Sequence, residues 1–192
     1  MCRQFVTSAV AKGCLVLWSA ALMGTACASH PTPPFKTLSP AQCAPPSQAG
    51  YHPALATDWN TYKPYVRACP LGASGKAPAK LWLLTVFAQP YLDDHPDQTN
   101  WPEFPRPQLV GADGHCLARL PELFPFDEPR TLRLQYGPLV DGMPGEIRVH
   151  VSNPAAGGDY DLPVLRWIPT EHKYVAQNNT GEYTTEDMTC PN

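Results

Sequence analysis

Charge and long apolar runs are both scarce in this sequence. Charged residues make up 16% of the 192 residues, and the formal net charge is -3. Nucleic-acid-binding domains usually cluster Lys and Arg on one face, so the composition gives no reason to expect nucleic acid as a partner. After position 28 no apolar run approaches the roughly 20 residues that a membrane-spanning helix needs, and we expect no transmembrane helix there.

Common catalytic motifs are also missing. The sequence contains no G-x-S-x-G, H-E-x-x-H, P-loop or G-x-G-x-x-G pattern, and no S-x-x-K after position 28. A catalytic triad can be assembled from distant positions, so these absences disfavour catalysis without excluding it. The candidates for a fold-assembled His/Asp hydrolase site are His52, His95, His115, His150 and His172. We predict no catalytic residue from a motif, no metal and no cofactor.

Proline, by contrast, is abundant, with 24 residues. An interior proline removes a helix hydrogen bond and clashes with the preceding turn, so a mostly helical fold is excluded. The Pro-, Ser- and Ala-rich segment 29–50 predicts an extended tether, because Pro-rich chains act as stiff spacers. We therefore predict three parts: an export signal over 1–28, the tether over 29–50 and a single β-rich exported domain over 51–192.

The first 28 residues are typical of an export signal. Arg3 and Lys12 supply positive charge, the apolar stretch 14–23 contains ten residues, and small residues follow it. That stretch is too short to span a bilayer. A buried N-terminal helix is the alternative, which the prolines at 31, 33 and 34 disfavour because they would detach it from the rest of the chain.

The end of this segment resembles the signal of bacterial lipoproteins, in which a small residue precedes a cysteine that becomes the acylated N-terminus. Ala26 precedes Cys27, and Ala28 and Ser29 follow it. The departure is Gly24, which stands where the pattern usually has leucine. The resemblance implies that Cys27 is the lipid attachment site and that acyl chains hold the protein on a membrane. The alternative is cleavage after Ala28, which would remove Cys27.

Cysteine usage also indicates export. Of the seven cysteines, Cys43, Cys69, Cys116 and Cys190 remain after either fate of Cys27. An even number in an exported chain predicts two disulfides, and four cysteines allow three pairings. We favour Cys43–Cys69, which would fix the N-terminal arm, and Cys116–Cys190, which would hold the polar C-terminal tail. No C-x-x-C spacing supports a zinc or redox site.

Three apolar segments predict the main strands. The run 80–88, KLWLLTVFA, is continuously apolar and bounded by Pro78 and Pro90, which favours a central strand buried on both faces. The segments TLRLQY (131–136) and EIRVHVS (146–152) alternate apolar and polar residues, which predicts an antiparallel pair with one face on the core. The nine residues between them, 137–145, predict a looped connection rather than a tight hairpin.

Further strands are predicted on either side of this pair. Residues 160–169 predict one strand with Pro163 at an edge or bulge, and 172–177 its partner. Residues 108–120 predict a hairpin that turns at Asp113-Gly114. A short helical turn is expected within 54–62, and Trp82 and Trp167 are expected in the core. The predicted fold is all-β: a small antiparallel β-sandwich, or an open barrel, with a Pro-rich N-terminal arm and two disulfides.

Two short motifs have both a chemical and a structural interpretation. Asp93, Asp94, His95 and Asp97 could offer oxygen ligands to calcium, but the run lacks the spacing of an EF-hand loop, and a solvated turn after a buried strand is the better interpretation. His115 and Cys116 could form a thiolate site. Adjacent strand residues point to opposite faces, so a disulfide is preferred for Cys116.

The segment 153–163, NPAAGGDYDLP, is the predicted recognition loop. Asn153, Asp159, Tyr160 and Asp161 are its candidate contact residues, since binding residues concentrate on loops. The alternative is a turn at Gly157-Gly158 beside which Tyr160 packs. The acidic tail, with Glu182, Glu186 and Asp187, is expected to be solvated, although its charge would also suit a basic partner such as a cationic cell-wall hydrolase.

Together these features predict a bacterial envelope protein that binds a partner without catalysis, periplasmic or on the periplasmic face of a membrane. An inhibitor or immunity protein against a periplasmic enzyme or toxin fits this format. A structural or assembly lipoprotein of the envelope is the first alternative, with an envelope protein again as the partner. A hydrolase with a fold-assembled site is the second, and His150, on the polar side of a predicted strand, would be its first residue to test.

Overall fold

Two antiparallel β-sheets organise the chain, for which this computed structural model describes residues 34–72, 78–121, 131–153, 158–177 and 184–191. All of them belong to one unit, Pro33–Asn192. The strands in chain order are β1 (Lys36–Thr37), β2 (Val66–Leu71), β3 (Leu81–Val86), β4 (Gln108–Gly111), β5 (Cys116–Arg119), β6 (Thr131–Tyr136), β7 (Leu139–Val140), β8 (Met143–Pro144), β9 (Glu146–Asn153), β10 (Gly158–Asp161), β11 (Val164–Ile168) and β12 (Lys173–Gln177). The helices are α1 (Thr57–Asn60) and α2 (Ala88–Asp94), with 3-10 turns at Pro40–Gln42, Lys63–Tyr65 and Glu186–Met188.

The larger sheet has six strands in the order β1-β6-β9-β11-β12, and β10 also pairs with β9. The smaller sheet has four strands in the order β2-β3-β4-β5, and β7 and β8 form a separate hairpin. The two sheets approach each other where β12 lies near β5. The prediction of an all-β fold with antiparallel sheets is confirmed.

The main core lies between the two sheets. On β6 and β9 the predicted alternation is present: Leu134 pairs with Val149 and faces inward, whereas Arg133 pairs with His150 and faces outward. Leu83 and Leu109 from the smaller sheet complete this core, and both are fully buried. A period of two places the apolar residues of a strand on one face. The alternating sequence therefore determines which face of the larger sheet is buried.

The smaller sheet is buried on its second face as well. There Trp82 and Leu84 of β3 pack with Trp59 of α1 and with Phe104, and the Trp82 indole N–H donates to the Ala49 carbonyl at 3.1 Å. Every residue of β3 is therefore buried, as the continuous apolar run predicts. Helices α1 and α2 and the connecting segments cover this face of the smaller sheet.

Both predicted disulfides are present. Cys43 is bonded to Cys69 on β2, and Cys116 on β5 is bonded to Cys190 in the C-terminal tail. The second bridge holds the 3-10 turn Glu186–Met188, whose Met188 side chain is buried in the main core. Structural disulfides persist in oxidising compartments, which indicates an extracytoplasmic protein.

The segment predicted as an extended tether is part of the domain over much of its length. Lys36 and Thr37 pair with β6, Leu38 is buried, and Ala44 forms a bridge with Ala68 of β2. The Cys43 disulfide then fixes the segment to β2. Apolar residues and backbone pairing outweigh the extending tendency of its prolines here, and residues before 34 lie outside the described part of the chain.

Other local predictions needed correction. The single strand expected over 160–169 is split at Leu162-Pro163 into β10 and β11, and both pair with β9. The connection 137–145 contains a tight hairpin of its own, β7–β8, because Asp141 and Gly142 both adopt positive φ, at 55° and 83°. That is the backbone of a two-residue hairpin turn.

Helix α2 and strand β2 were also not predicted. Helix α2 includes Pro90, which is tolerated because it lies in the first turn. Backbone N–H groups in that turn have no acceptor within the helix, so the missing N–H of proline costs no hydrogen bond. Strand β2 includes Pro70, which is compatible with its place at the edge of the smaller sheet. The helical turn within 54–62, the hairpin at Asp113-Gly114 and the β11–β12 pair are all present.

Tyr174 on β12 gives a stability prediction. Its buried hydroxyl donates to the Pro144 carbonyl at 2.8 Å, and burial raises the pKa of the phenol far above its usual value. Tyr174→Phe leaves that carbonyl unpaired, so we expect a loss of about 1–2 kcal/mol at pH 7. Denaturant unfolding of the two proteins measures the difference.

The same pair of proteins tests the pH dependence. The raised pKa means that Tyr174 contributes fully below pH about 10, and that its contribution falls at higher pH because only the unfolded state ionises. The stability gap between wild type and Tyr174→Phe should therefore shrink above pH about 10. If the difference in the free energy of unfolding between the two proteins stays constant above pH about 10, the Tyr174 phenol is not buried as described.

Candidate functional site

The outer face of the six-stranded sheet carries the largest set of outward polar side chains described on either sheet. Arg133 on β6, Arg148 on β9 and Arg166 on β11 are exposed. Glu146 lies between two of them, 2.6 Å from Arg148 Nε and 3.7 Å from Arg166 Nη2. The Arg148 guanidinium also stacks over the Phe35 ring at 4.2 Å. We call this outer face, formed by the outward side chains of β6, β9, β10 and β11, the polar face.

Two cross-strand contacts tie β9 to β10 at one end of the polar face. His150 is opposite Asp161 in the register, and its Nδ1 lies 2.9 Å from an Asp161 oxygen. Ser152 is opposite Asp159, and its hydroxyl donates to the Asp159 carboxylate at 2.7 Å. Directly opposed strand residues bring their side chains within contact distance, so the antiparallel register alone assembles this group.

A groove of about 350 Å³ opens beside these residues. Its lining comprises Leu38, Leu132, Arg133, His150, Ser152 and Asp159. Arg133 comes from β6 and lies opposite His150, so the groove crosses three neighbouring strands. Among the described contacts, the Arg133 guanidinium has no ion pair or hydrogen bond, which leaves its donors available to a ligand.

The arrangement around His150 differs from a nucleophilic triad. Asp161 holds one ring nitrogen, as the orienting carboxylate of a triad would, but the other nitrogen, Nε2, faces Asp159 at 3.8 Å. The Ser152 hydroxyl donates to Asp159 rather than to the ring. His150 is therefore not placed to act as the general base that accepts the Ser152 hydroxyl proton. The carboxylates are also well exposed, at 62% for Asp159 and 76% for Asp161.

The predicted recognition residues occupy a strand rather than a loop. Asp159 and Asp161 lie on β10 and point outward on the polar face, whereas Tyr160 points inward and packs against the main core. The backbone of Asn153 ends β9, but its side chain and residues 154–157 lie outside the described part of the chain. Pairing with β9 satisfies the backbone of β10, which is why the segment is not a free loop.

The remaining predicted site residues do not converge. His52, His95, His115 and His172 are all exposed, and none of them lines the groove. Cys116 is in a disulfide, as predicted, so it offers no thiolate. Cys27 lies outside the described residues. Of the candidate histidines, only His150 has a carboxylate partner among the described ion pairs.

The acidic run after β3 forms the end of α2 rather than a loop. Asp93 accepts a hydrogen bond from the Gln89 amide, Asp94 accepts one from the Tyr65 hydroxyl at 2.8 Å, and His95 stacks on Tyr91. The Asp94 contact raises the pKa of Tyr65. Across the described ranges no group of three or more His, Cys, Asp or Glu residues is placed to hold a metal.

The C-terminal tail uses one of its acids internally. Asp187 accepts hydrogen bonds from the backbone N–H and the hydroxyl of Thr184, and these contacts lower the pKa of its carboxyl group. Glu182 lies outside the described residues. Asp187 therefore fixes the turn that precedes Cys190.

Arg133 and Ser152 are the polar groove residues that sequence reasoning missed. Both fall on the polar side of segments whose alternation was recognised, so their outward direction was available from the pattern. What the sequence could not give was the register between β6, β9 and β10, which places Arg133, His150 and Asp161 in one row.

None of the helices in the described part of the chain has the length and apolar content of a membrane span.

Comparison with known proteins does not assign this chain to a family. The chain matches no protein-family model, no curated protein and no solved structure. Its function is therefore inferred from the polar face and from the groove.

Proposed function

We propose that this protein is a non-catalytic binding module of the bacterial envelope, and that the polar face is the surface that meets its protein partner. The observation that carries this proposal is the asymmetry of the two sheets. The smaller sheet is covered on both faces, whereas the outward side chains of the larger sheet remain exposed or half-exposed. Among the described residues, the polar face is therefore the exposed face of the two main sheets on which a partner can dock.

The chemistry of the polar face suits a protein partner. Arginine is enriched among the residues that contribute most to binding, and Arg148 is held by both Glu146 and the Phe35 ring. A side chain that is already oriented loses less conformational entropy on binding. Alternating positive and negative groups along the face give it electrostatic specificity.

The predicted export signal and the two disulfides support the location that we propose. We place the protein in the periplasm or on the periplasmic face of a membrane, held there by acylation of Cys27. An inhibitor or immunity protein against a periplasmic enzyme or toxin is the form of partner binding that we favour. A structural lipoprotein of an envelope complex would use the same face, and the identity and stoichiometry of its partner would distinguish it.

A hydrolase is the second candidate, favoured by the 2.9 Å contact between His150 and Asp161 beside a groove. The Ser152 hydrogen bond to Asp159 argues against it. Under this alternative, the protein should cleave members of a panel of ester, peptide and glycan substrates, and His150→Ala should abolish that cleavage while the fold stays intact.

Affinity capture with matched variants tests the binding proposal. The oxidised protein, Arg148→Ala and Lys63→Ala are each immobilised and exposed to an envelope extract, and the retained proteins are identified by mass spectrometry. Lys63 is an exposed cation in the 3-10 turn before β2, away from the polar face. Loss of a well-packed arginine anchor typically costs 2 kcal/mol or more, which is about thirtyfold in affinity.

The expected result is one stoichiometric partner that the wild type and Lys63→Ala retain and Arg148→Ala loses. Equal retention by all three folded proteins would reject the polar face as the contact surface. Absence of any retained protein, together with cleavage of a substrate, would favour the hydrolase.

A further inference from the structure

The groove on the polar face has a charge pattern that a simple ion does not match. Arg133 provides a positive group at one wall, and Asp159 provides a negative group at the other. A single anion would be attracted by Arg133 but repelled by Asp159, and a single cation would meet the reverse. A ligand that carries one group of each sign, held apart, satisfies both walls.

The spacing sets the length of that ligand. Arg133 lies on β6 and Asp159 on β10, with β9 between them. Neighbouring strands are about 4.8 Å apart, and Asp159 lies two residues along the strand from the row that contains Arg133, so the two Cα atoms are separated by roughly 12 Å. An extended di- or tripeptide spans about 7–10 Å, and the side chains of Arg133 and Asp159 shorten the gap further.

The other lining residues match the middle of a peptide. Leu38 and Leu132, which are almost fully buried in the main core, present only a narrow apolar edge to the groove. The Ser152 oxygen, whose hydroxyl donates to Asp159, can still accept a hydrogen bond from a peptide N–H. The volume of about 350 Å³ is at the small end of the range for ligand sites. It therefore suits a few residues rather than a folded domain.

We infer that this groove binds a short zwitterionic peptide, with its terminal carboxylate on Arg133 and its terminal ammonium on Asp159. The inference rests on the proposed use of the polar face for binding, and it names a ligand class for one part of that face. The Arg133 guanidinium can donate two parallel hydrogen bonds to a carboxylate, which is the geometry that this side chain favours.

Four forms of one dipeptide provide the test. The probes are Ala-Leu, its N-acetyl form, its C-terminal amide and the form blocked at both ends, titrated at pH 7 against the full-length oxidised protein and followed by its NMR amide spectrum. Each block removes one charge, and we expect each to weaken binding about tenfold. Resonances of β6, β9 and β10 should be the ones that shift.

Variants assign each end of the ligand. Arg133→Gln should lose the preference for a free carboxylate and keep the preference for a free ammonium, and Asp159→Asn should show the opposite. Lys63→Gln is the matched control, since it removes an exposed cation that lies away from the polar face and outside the groove lining. It should bind all four probes as the wild type does.

Two results would overturn the inference. One is the absence of saturable binding of Ala-Leu to the folded protein up to about 10 mM, and the other is equal affinity for all four probes. Either result leaves the capture experiment untouched, because that experiment reports on Arg148 and a protein partner. Loss of partner capture with intact dipeptide binding would instead reject the proposed function alone.

Discussion

Removal of the Cys116–Cys190 disulfide should lower the free energy of unfolding by about 4.5 kcal/mol. The bridge joins residues 74 positions apart, and a crosslink that closes a long loop restricts the unfolded chain strongly. The double variant Cys116→Ser/Cys190→Ser isolates this effect without leaving a free thiol. Because small domains are stable by only about 5–15 kcal/mol, we expect a large fall in the urea midpoint, measured by circular dichroism.

The other disulfide is the internal comparison. Cys43 and Cys69 are 26 positions apart, so the same chain-entropy argument gives about 3.5 kcal/mol for Cys43→Ser/Cys69→Ser. The Cys116–Cys190 variant should also release the tail that carries Met188, so its loss should be the larger one. A loss of less than about 1 kcal/mol for either pair would contradict the structural role given to that bridge.

The second large effect is expected at the centre of the main core. Leu83 is fully buried on β3, where it pairs with Cys69 on one side and Leu109 on the other. Leu83→Ala removes buried apolar volume between close-packed sheets, and such changes typically cost about 2–5 kcal/mol. We expect a value near 4 kcal/mol, since neighbours on two paired strands limit collapse into the cavity.

Leu139 in the β7–β8 hairpin provides the matched control. Its side chain is 40% exposed, so Leu139→Ala should cost less than about 1 kcal/mol. Urea unfolding of both variants, with the slope compared to that of the wild type, measures the difference. Similar costs for the two substitutions would show that Leu83 is not at the centre of a packed interface between the sheets.

The alternating segments explain why much of the fold could be predicted. A period of two placed Leu134 and Val149 inward and Arg133 and Arg148 outward before any pairing was known. The continuously apolar run of β3 likewise indicated burial on both faces. These are local signals, and local signals survive in a single sequence.

The missed elements depended on tertiary context. Strand β2 contains Pro70, and helix α2 contains Pro90, and both prolines are acceptable only because of their positions at a sheet edge and in a first helical turn. The turn at Asp141-Gly142 has the same Asp-Gly dipeptide as the turn at Asp113-Gly114. Its flanking strands, β7 and β8, have only two residues each, which is too short for an alternating pattern to indicate a hairpin.

Both disulfides were predicted from position rather than from geometry. The reasoning was that the arm and the tail each needed a covalent attachment, and the pairs Cys43–Cys69 and Cys116–Cys190 agree with it. The arm itself was misjudged, because Leu38 and the bridge at Ala44 bind it to the sheets before residue 50 is reached. Composition predicts stiffness, but it does not reveal which backbone groups find partners.

The sequence predicted some residues of the candidate site, but not the contacts between them. Alternation singled out His150, and the acidic segment singled out Asp159 and Asp161, but their contact depends on the register between β9 and β10. Arg133 joins them only through the register between β6 and β9. Register is set by pairing over the whole sheet, so the groove became visible only with the fold.

The most direct test of the account is an NMR map of the isotopically labelled protein bound to its captured partner. We predict that the amide resonances that shift or broaden belong to β6, β9, β10 and β11, with Arg148 and Arg166 among them. Shifts confined to α2 and to the exposed Trp101, which packs on Phe104 at the covered side of the smaller sheet, would contradict the assignment of the polar face as the binding surface.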